Sequence, residues 1–491
     1  MSHRAFFFDL SPWADEPATD DPTQKPGADL AVLKELLLAA NVTGASSSQA
    51  KFIHIGGFPP WALKYTDHEN VNGKHPAVAT EQEFTRLLGS YNAYIDADAL
   101  ALGALANASF WQHFPLQTHY PQTRPWPTRD DLQQRGYLTP DGKLNLGALR
   151  NRQFIIFYVG DYDSAAWLTQ RMPAFWDDPA RGQIPLLWCI SPILEKRATQ
   201  VLHHIRTTAT PNDYFASADN GAGYLSPSSL QSPRDSGLPD ATRAWAAHNA
   251  PYYARWDLTI TGFVINPGKV PLTDATLDAY ATFSPNGIVA NGPGIPPTLL
   301  HGNMPVMRAG LTLNKEKAPA AVAKTLVSNV AAQRAIPFHW FRTILRSPSW
   351  HVELMTEVHR LAPNIELLDA PTFFELYRLW LQETTAAEGP TARFIIAQPA
   401  GLGIYEEIPC GLKARVMAPS PAMTHAFSPL RSLASLASLP SLSNPLHRDH
   451  REPQSFGRPS KLLTPFCPFS SIPFILSKNK TAPSHEPKNR S

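Results

Sequence analysis

The sequence predicts an α/β protein: a (β/α) barrel-like domain, preceded by a smaller mixed α/β domain and followed by a disordered tail. Three observations predict it. From Arg152 onward, short apolar runs alternate with amphipathic stretches in a regular rhythm. Before Leu149 the same ingredients are present without that rhythm. After Pro419, Ser and Pro dominate and periodic apolar faces vanish.

The N-terminal part (1–149) opens its readable structure with a helix at Ala31–Ala40, AVLKELLLAA. Lys51–Phe58 alternates like a strand and ends in glycines; the loop Pro59–Thr66 follows, with Trp61, Lys64 and Tyr65. Glu81–Leu88 and Ala97–Leu105 read as helices, and Pro115–Asp131 as a surface crossing. In the next unit (150–390) the apolar runs are Phe154–Val159, Leu186–Ile190, Leu258–Ile265, Gly287–Ala290, Pro305–Arg308, Ile336–Phe341 and Ile365–Leu368. Between them lie Ser164–Arg171, Leu194–Thr207, Asp240–Tyr253, Thr273–Ala281, Ala318–Ala332, Trp350–Leu361 and Thr372–Leu381, which read as helices. Continuous apolar strands alternating with amphipathic helices are the pattern of a parallel sheet under helical cover. Roughly seven such units fit a barrel, perfect or incomplete, better than an open doubly wound sheet. Asp240, Thr273, Ser347 and Thr372 are candidate N-caps, with Pro348 at the first helical position. Residues 391–418 read as a linker. Residues 419–491 are too poor in apolar surface to offset chain entropy and read as disordered.

Composition narrows the function classes. The 491-residue chain has a net charge of only +2 and no basic stripe, which argues against nucleic acid as a partner. Three scattered cysteines make neither a disulfide framework nor a CxxC metal site, and Cys189 inside PLLWCI reads as a buried inert thiol. No HxxxH or HxH signature is present, so no metal or cofactor is assigned while metal binding stays open, and without a GxSxG elbow a serine nucleophile fits poorly. No run reaches the roughly 18 apolar residues of a membrane helix. The start, MSHRAFFFDLSPWADEP, does not read as a secretory leader, and the compartment stays open, including secretion. No protein partner is indicated.

In parallel α/β folds, sites collect at the carboxyl ends of the strands. The run Phe154–Val159 ends in Gly160-Asp161-Tyr162-Asp163-Ser164, where two neighbouring carboxylates suit acid–base work. Asp163 or Ser164 equally suits a helix cap there. The stretch Asp213–Pro227, DYFASADNGAGYLSP, gathers Asp213, Asp219, Asn220, Gly221, Gly223 and Tyr224 in one segment. Two close glycines permit positive φ and let backbone N–H groups face a ligand, and Tyr224 offers a stacking face. A turn is the competing reading for the glycines and for Asp213. Alternation in Ile336–Arg342 puts His339 and Phe341 on one face and Phe338, Trp340 and Arg342 on the other; Arg342 suits a sugar hydroxyl or an acid, and His339 a site or a core position. Asp369 follows Ile365–Leu368 and suits either a site or a cap.

The run Gly221-Ala222-Gly223-Tyr224-Leu225-Ser226-Pro227 resembles the signature of the GxGYxYP family, with Ser226 where the motif has its second Tyr. Phe52–Thr66, Phe157–Leu168 and Pro337–Ser349 look similar to further blocks of that family. The resemblance spans roughly Phe52 to Leu381. It implies an N-terminal domain, a barrel-like hydrolase domain and a carbohydrate substrate. Together these readings lead to a glycoside hydrolase with Asp161 or Asp163 paired with Asp213. Trp61, Lys64, Tyr65, Trp167, Asn220, Gly221, Gly223, Tyr224, His339 and Arg342 are the expected substrate contacts. Two alternatives stay open: a non-catalytic carbohydrate-binding protein, and a metal-assisted deacetylase-like hydrolase with Asp161 and Asp163 as ligands.

Overall fold

The computed structural model describes residues 6–8, 10–15, 21, 23–44, 51–56, 80–96, 108–314, 317–388 and 474–478. Its strands, in chain order, are β1 (Phe6–Phe8), β2 (Ile53–Gly56), β3 (Ala93–Ile95), β4 (Gln153–Tyr162), β5 (Leu186–Ile190), β6 (Asp213–Ser217), β7 (Ile260–Val264), β8 (Gly287–Ala290), β9 (Thr298–His301), β10 (Met304–Arg308), β11 (Leu311–Thr312), β12 (Phe338–Ile344), β13 (Ile365–Leu367) and β14 (Phe474–Lys478).

These strands form two sheets. The smaller runs in the order β1-β14-β2-β3. Its core takes Leu33 and Leu37 from helix Ala28–Gly44, Phe84 and Leu88 from helix Thr80–Ser90, and Ile53, Ile55 and Ile95 from the strands. Within the segment expected to be disordered, Phe474–Lys478 is therefore a strand; the rest of 419–491, and the linker 391–418, lie outside the described residues.

The larger sheet runs β11-β12-β4-β5-β6-β7-β8-β10-β9, with β13 also on β4. All its pairings are parallel except the β9–β10 hairpin. Side chains sort by the two-residue period of a strand, with a change of phase at the register shifts in β4 and β7. Ile155, Phe157 and Val159 join the helices Thr199–Thr207, Thr242–Trp256, Asp274–Phe283, Pro319–Ala332 and Pro348–Leu361 in one core. Phe154, Ile156 and Tyr158 join Cys189, Ala216, Ile260, Val289, Met307, Phe338 and Trp340 in the other. That second core is the concave face. Trp340 on β12 and Phe263 on β7 have ring centroids 5.6 Å apart although four strand steps separate them. A flat sheet would put them about 19 Å apart at the usual strand spacing, so the sheet curls strongly.

The expected parallel, helix-covered sheet is thus present as a curled half-barrel. The hydrogen-bonded order does not close: it ends at β11 on one side and β9 on the other. Leu132, Tyr137, Leu138, Leu144 and Leu149 pack into the concave core together with helix Ala370–Glu388, and Tyr120 packs into the outer one. The chain from about Tyr120 onward therefore shares the main core.

Several predicted caps are in place. Thr273 accepts from Thr276 N–H at 3.3 Å, and Ser347 from Trp350 N–H at 3.3 Å with Pro348 following. Asp240 accepts from Thr242 N–H at 2.9 Å. At the last helix the cap is Asp369, not Thr372: Asp369 accepts from the N–H of Thr372 at 3.0 Å and from its hydroxyl at 2.9 Å.

Candidate active site

At the carboxyl ends of β4, β6 and β12 the backbone takes conformations that side chains ordinarily avoid. Asp161 has φ +74°, Asp219 +34°, Asn220 +73° and Leu345 +49°. Non-glycine residues held there cost on the order of 1–3 kcal/mol each, and such strain gathers at functional sites. Around these positions three buried carboxylates, Asp161, Asp163 and Asp219, meet one buried guanidinium, Arg342.

Arg342 reaches Asp161 directly, Nη2 to Oδ1 at 2.5 Å, with the two side chains 13% and 4% exposed. Burial alone would lower the Arg342 pKa; Asp161, then Tyr158, Asp219 and Asp163, outweigh it and hold the guanidinium protonated. Asp163 differs from Asp161. It is 1% exposed, and neither carboxylate oxygen has a hydrogen-bond partner among the described residues. The capping role open to it in the sequence is not used. The concave face below adds Tyr158 and Cys189. Burial pushes the Tyr158 phenol and the Cys189 thiol well above their ordinary ranges, and the charges of Asp163 and Asp219 push both further up. Cys189 is therefore a protonated, inert thiol, as its apolar context suggested.

Burying net negative charge without pairing is costly. Three donors also lack partners among the described residues: the Tyr158 hydroxyl, Arg342 Nε and Trp340 Nε1; the Asp163 charge acts on Tyr158 and Arg342. Unmet donors and an unmet double acceptor on one concave face form a constellation suited to a polyhydroxylated guest, which supplies both functions from each hydroxyl. Among the described residues, no group of three or more His, Cys, Asp or Glu is arranged to hold a metal.

The structure sorts the sequence candidates. Asp161, Asp163 and Arg342 come together. Asp213 does not: it is the first residue of β6, at the amino end, where its carboxylate accepts from Arg181 at 2.6 Å, the Trp188 indole at 2.9 Å and Thr210 N–H at 2.9 Å. It anchors the far rim. His339 is likewise near the amino end, bonded to Gln153 at 2.8 Å, and burial lowers its pKa to about 4. Trp167 packs half-buried against the helix-side core beside Arg171. Trp61, Lys64 and Tyr65 lie outside the described residues.

The glycine loop has a different job from the one expected. A Cβ on Gly221 would lie 2.3 Å from Asn249 Oδ1, and one on Gly223 2.3 Å from the Tyr94 ring. Both glycines, at φ +126° and +125°, clear space for the protein itself. Tyr224 is 2% exposed, exchanges backbone hydrogen bonds with Ile95, and packs in the core of the smaller sheet. Asn220 staples the loop, donating to the carbonyls of Leu225 and Ile265 and accepting from Ile265 N–H. Ser226, fully buried, accepts no aromatic role; its N–H donates to the carbonyl of Thr85 at 3.1 Å. The loop splices the two sheets together and so fixes Asp219, which immediately precedes it.

Residues 151–378 match the family model described as "GxGYxYP putative glycoside hydrolase C-terminal domain". This segment belongs to the GxGYxYP family. The GxGYxYP segment contains the whole curled sheet and every residue of the cluster described above. Among solved structures, the chain is similar to a protein titled a putative hydrolase from Bacteroides thetaiotaomicron, at 15% identity and TM-score 0.45, over 61% of this chain and 55% of that one. It thus spans little more than half the length of that protein. It is also similar to a protein titled a putative polysaccharide deacetylase from Mycobacterium smegmatis, at 14% identity and TM-score 0.30, over 47% and 92% of the two chains. No curated protein matches the chain.

Two residues of this cluster, Asp219 and Tyr158, were not selected as site candidates from the sequence, although Asp219 was noted in its segment. Asp219 stands two places after the strand DYFAS, at its carboxyl end, while Asp213 is its first residue. The rule that selects strand ends therefore points to Asp219 once the strand's direction is counted. Tyr158 was findable from alternation, since Phe154, Ile156 and Tyr158 share a face.

Proposed function

We propose that the protein is a glycoside hydrolase whose proton work is done by Asp163 and Asp219, on a poly- or oligosaccharide. The single observation that carries this reading is Asp163: a buried carboxylate, free of protein partners among the described residues, at the carboxyl end of β4. A carboxylate held in this way is poised to exchange a proton or attack an anomeric carbon. Asp219 supplies the second carboxylate from the end of β6. Asp161, locked to Arg342, contributes fixed charge. The family to which residues 151–378 belong supports glycoside hydrolysis as the reaction class.

The test is an activity screen of the full chain against a glycan panel, with Asp163→Asn, Asp219→Asn and Asp213→Asn in parallel. The first two lower kcat at least about 1000-fold, in line with loss of general acid–base or nucleophilic catalysis. The third leaves kcat within about threefold. Equal turnover by wild type and Asp163→Asn would sink the assignment.

The reading extends to the scaffold. Only Ala309 and Gly310 separate β10, paired with β8, from β11, paired with β12. We take Met304–Thr312 as one bent strand that passes from one side of the gap to the other and completes a small barrel. Gly310 permits the bend: a Cβ there would lie 2.2 Å from the Trp340 carbonyl oxygen.

A further inference from the structure

Outside the carboxylate cluster, the smaller sheet turns a polar pair toward the larger unit. Along β2, β3 and their flanking residues, Ile53, Ile55, Ala93 and Ile95 pack in the small core, so Phe52, His54, Tyr94 and Asp96 line the opposite face. His54 and Asp96 are 7% and 1% exposed. His54 Nε2 bonds to Asp96 Oδ1, and its ring stacks on Tyr94 with centroids 5.0 Å apart. Arg197 completes the group from the larger unit, with Nε 2.5 Å from Asp96 Oδ2. That contact joins two charges without an aligned hydrogen bond, since Oδ2 has no hydrogen-bond partner among the described residues.

Arg197 stands where the two units meet. The turn Pro192–Lys196 leaves the carboxyl end of β5, and the sheet neighbours of β5 are β4 and β6, which lead to Asp163 and Asp219. The Arg197 side chain is 17% exposed, and among the described residues no hydrogen bond uses its Nη1. Its Nη2 meets His54 Nε2 at 3.5 Å. Burial lowers the His54 pKa despite the pull of Asp96, so the imidazole is neutral. Its Nε2 hydrogen goes to Asp96, which leaves that nitrogen no lone pair to accept from Arg197. Both terminal amino groups of the guanidinium therefore keep hydrogens to donate. The one acidic residue of the turn, Glu195, is spent on Arg255 at 2.7 Å and on the Trp256 indole at 2.9 Å. Lys196 brings a second cation, donating to the Tyr252 hydroxyl at 2.9 Å.

A buried carboxylate and imidazole are a costly way to fasten two units, because apolar side chains of similar volume do so without desolvating charge. What the ion pair adds is orientation: Asp96 holds the guanidinium at Nε and leaves the edge formed by Nη1 and Nη2. That edge matches the two oxygens of a carboxylate with two parallel N–H···O bonds. We propose that Arg197 binds the carboxylate of an acidic saccharide, a uronate unit, beside the proposed hydrolytic site, with Lys196 as the second charge. The inference rests on the saccharide reading above and narrows it to uronate-containing glycans.

The experiment screens the full chain on a glycan array of neutral, uronate-containing and sulfated oligosaccharides, then compares the best uronate ligand with its methyl ester by titration calorimetry. Uronate glycans are retained, and the acid binds at least about tenfold more tightly than the ester, which keeps the sugar and loses the charge. Arg197→Gln brings the acid down to the affinity of the ester and leaves the ester within about twofold. Asp163→Asn keeps the preference for the acid. Retention of neutral or sulfated glycans alone, or of none, overturns the proposal. So does equal affinity for acid and ester, or a preference that survives Arg197→Gln. Should Arg197→Gln not fold, the double variant Asp96→Asn/Arg197→Gln, which strands no carboxylate, is read in its place. The hydrolase reading fails separately. A wild type that binds uronate glycans and cleaves none counts against hydrolysis and leaves the subsite standing, while binding and cleavage of neutral glycans alone do the reverse.

Discussion

Asp161 and Asp163 are separated by one residue on one strand, yet the fold treats them oppositely. Asp161 is neutralised by Arg342, while Asp163 has no partner among the described residues. Breaking a buried pair by removing one partner typically costs about 3–5 kcal/mol, because the other charge is stranded. Arg342→Met is therefore expected to lower stability by roughly that amount in urea unfolding, as a shift of midpoint at constant slope. Asp163→Asn is expected to leave the midpoint unchanged or raise it, since it removes an unpaired buried charge. Asp213 gives the contrasting case. Its bonds to Arg181, Trp188 and Thr210 are structural, so Asp213→Asn costs about 1.5–3 kcal/mol while turnover holds. A loss of turnover with unchanged stability would instead place Asp213 in the chemistry.

At the scale of elements, the glycine loop between β6 and the turn at Pro227–Leu230 decides how the smaller sheet meets the larger. Gly223→Ala combines a disfavoured φ with a Cβ 2.3 Å from Tyr94. It should cost about 1–3 kcal/mol or more, the range for a residue held in such backbone space. In a Tyr94→Ala background the steric part disappears, so the double-mutant cycle reads a positive coupling between the two sites. Strict additivity would mean that the ring does not confine the loop. The Ser347 cap offers a smaller test: Ser347→Ala should lose about 1 kcal/mol, read as a lower melting temperature.

For the whole molecule, three buried histidines set an acid limit. Burial lowers His248, His339 and His351 to about 4 from the ordinary 6.5. His351 is held neutral by two bonds, Nδ1–H donating to the Ser347 carbonyl at 2.8 Å and Nε2 accepting from Thr343 at 2.9 Å. Below pH 6.5 the unfolded chain takes up protons that the folded chain refuses. Stability from these groups is therefore complete above 6.5 and drains as pH falls toward 4, by up to about 3 kcal/mol per residue. Thermal unfolding between pH 7 and 4 should show this decline, and His339→Leu should flatten part of it. A melting temperature constant across that window would contradict the assignment.

By itself, the sequence determined the alternation of strands and helices, the parallel sheet, several caps, and the candidacy of Asp161, Asp163 and Arg342 at strand ends. All of these follow from short-range rules: strand period, helix period, and the location of sites at strand ends. It did not reveal the function of Gly221 and Gly223, because a glycine that makes way for a ligand and one that makes way for Tyr94 or Asn249 look the same in a sequence. Nor did it separate Asp213 from Asp219, since both border one five-residue strand and only its direction in the sheet tells the site rim from the far rim. The tertiary structure decided which carboxylate is paired and which is not. Pairing depends on Arg342, 181 positions away along the chain, and on a curl that brings β12 and β7 together across the concave face. No local pattern encodes a contact of that range.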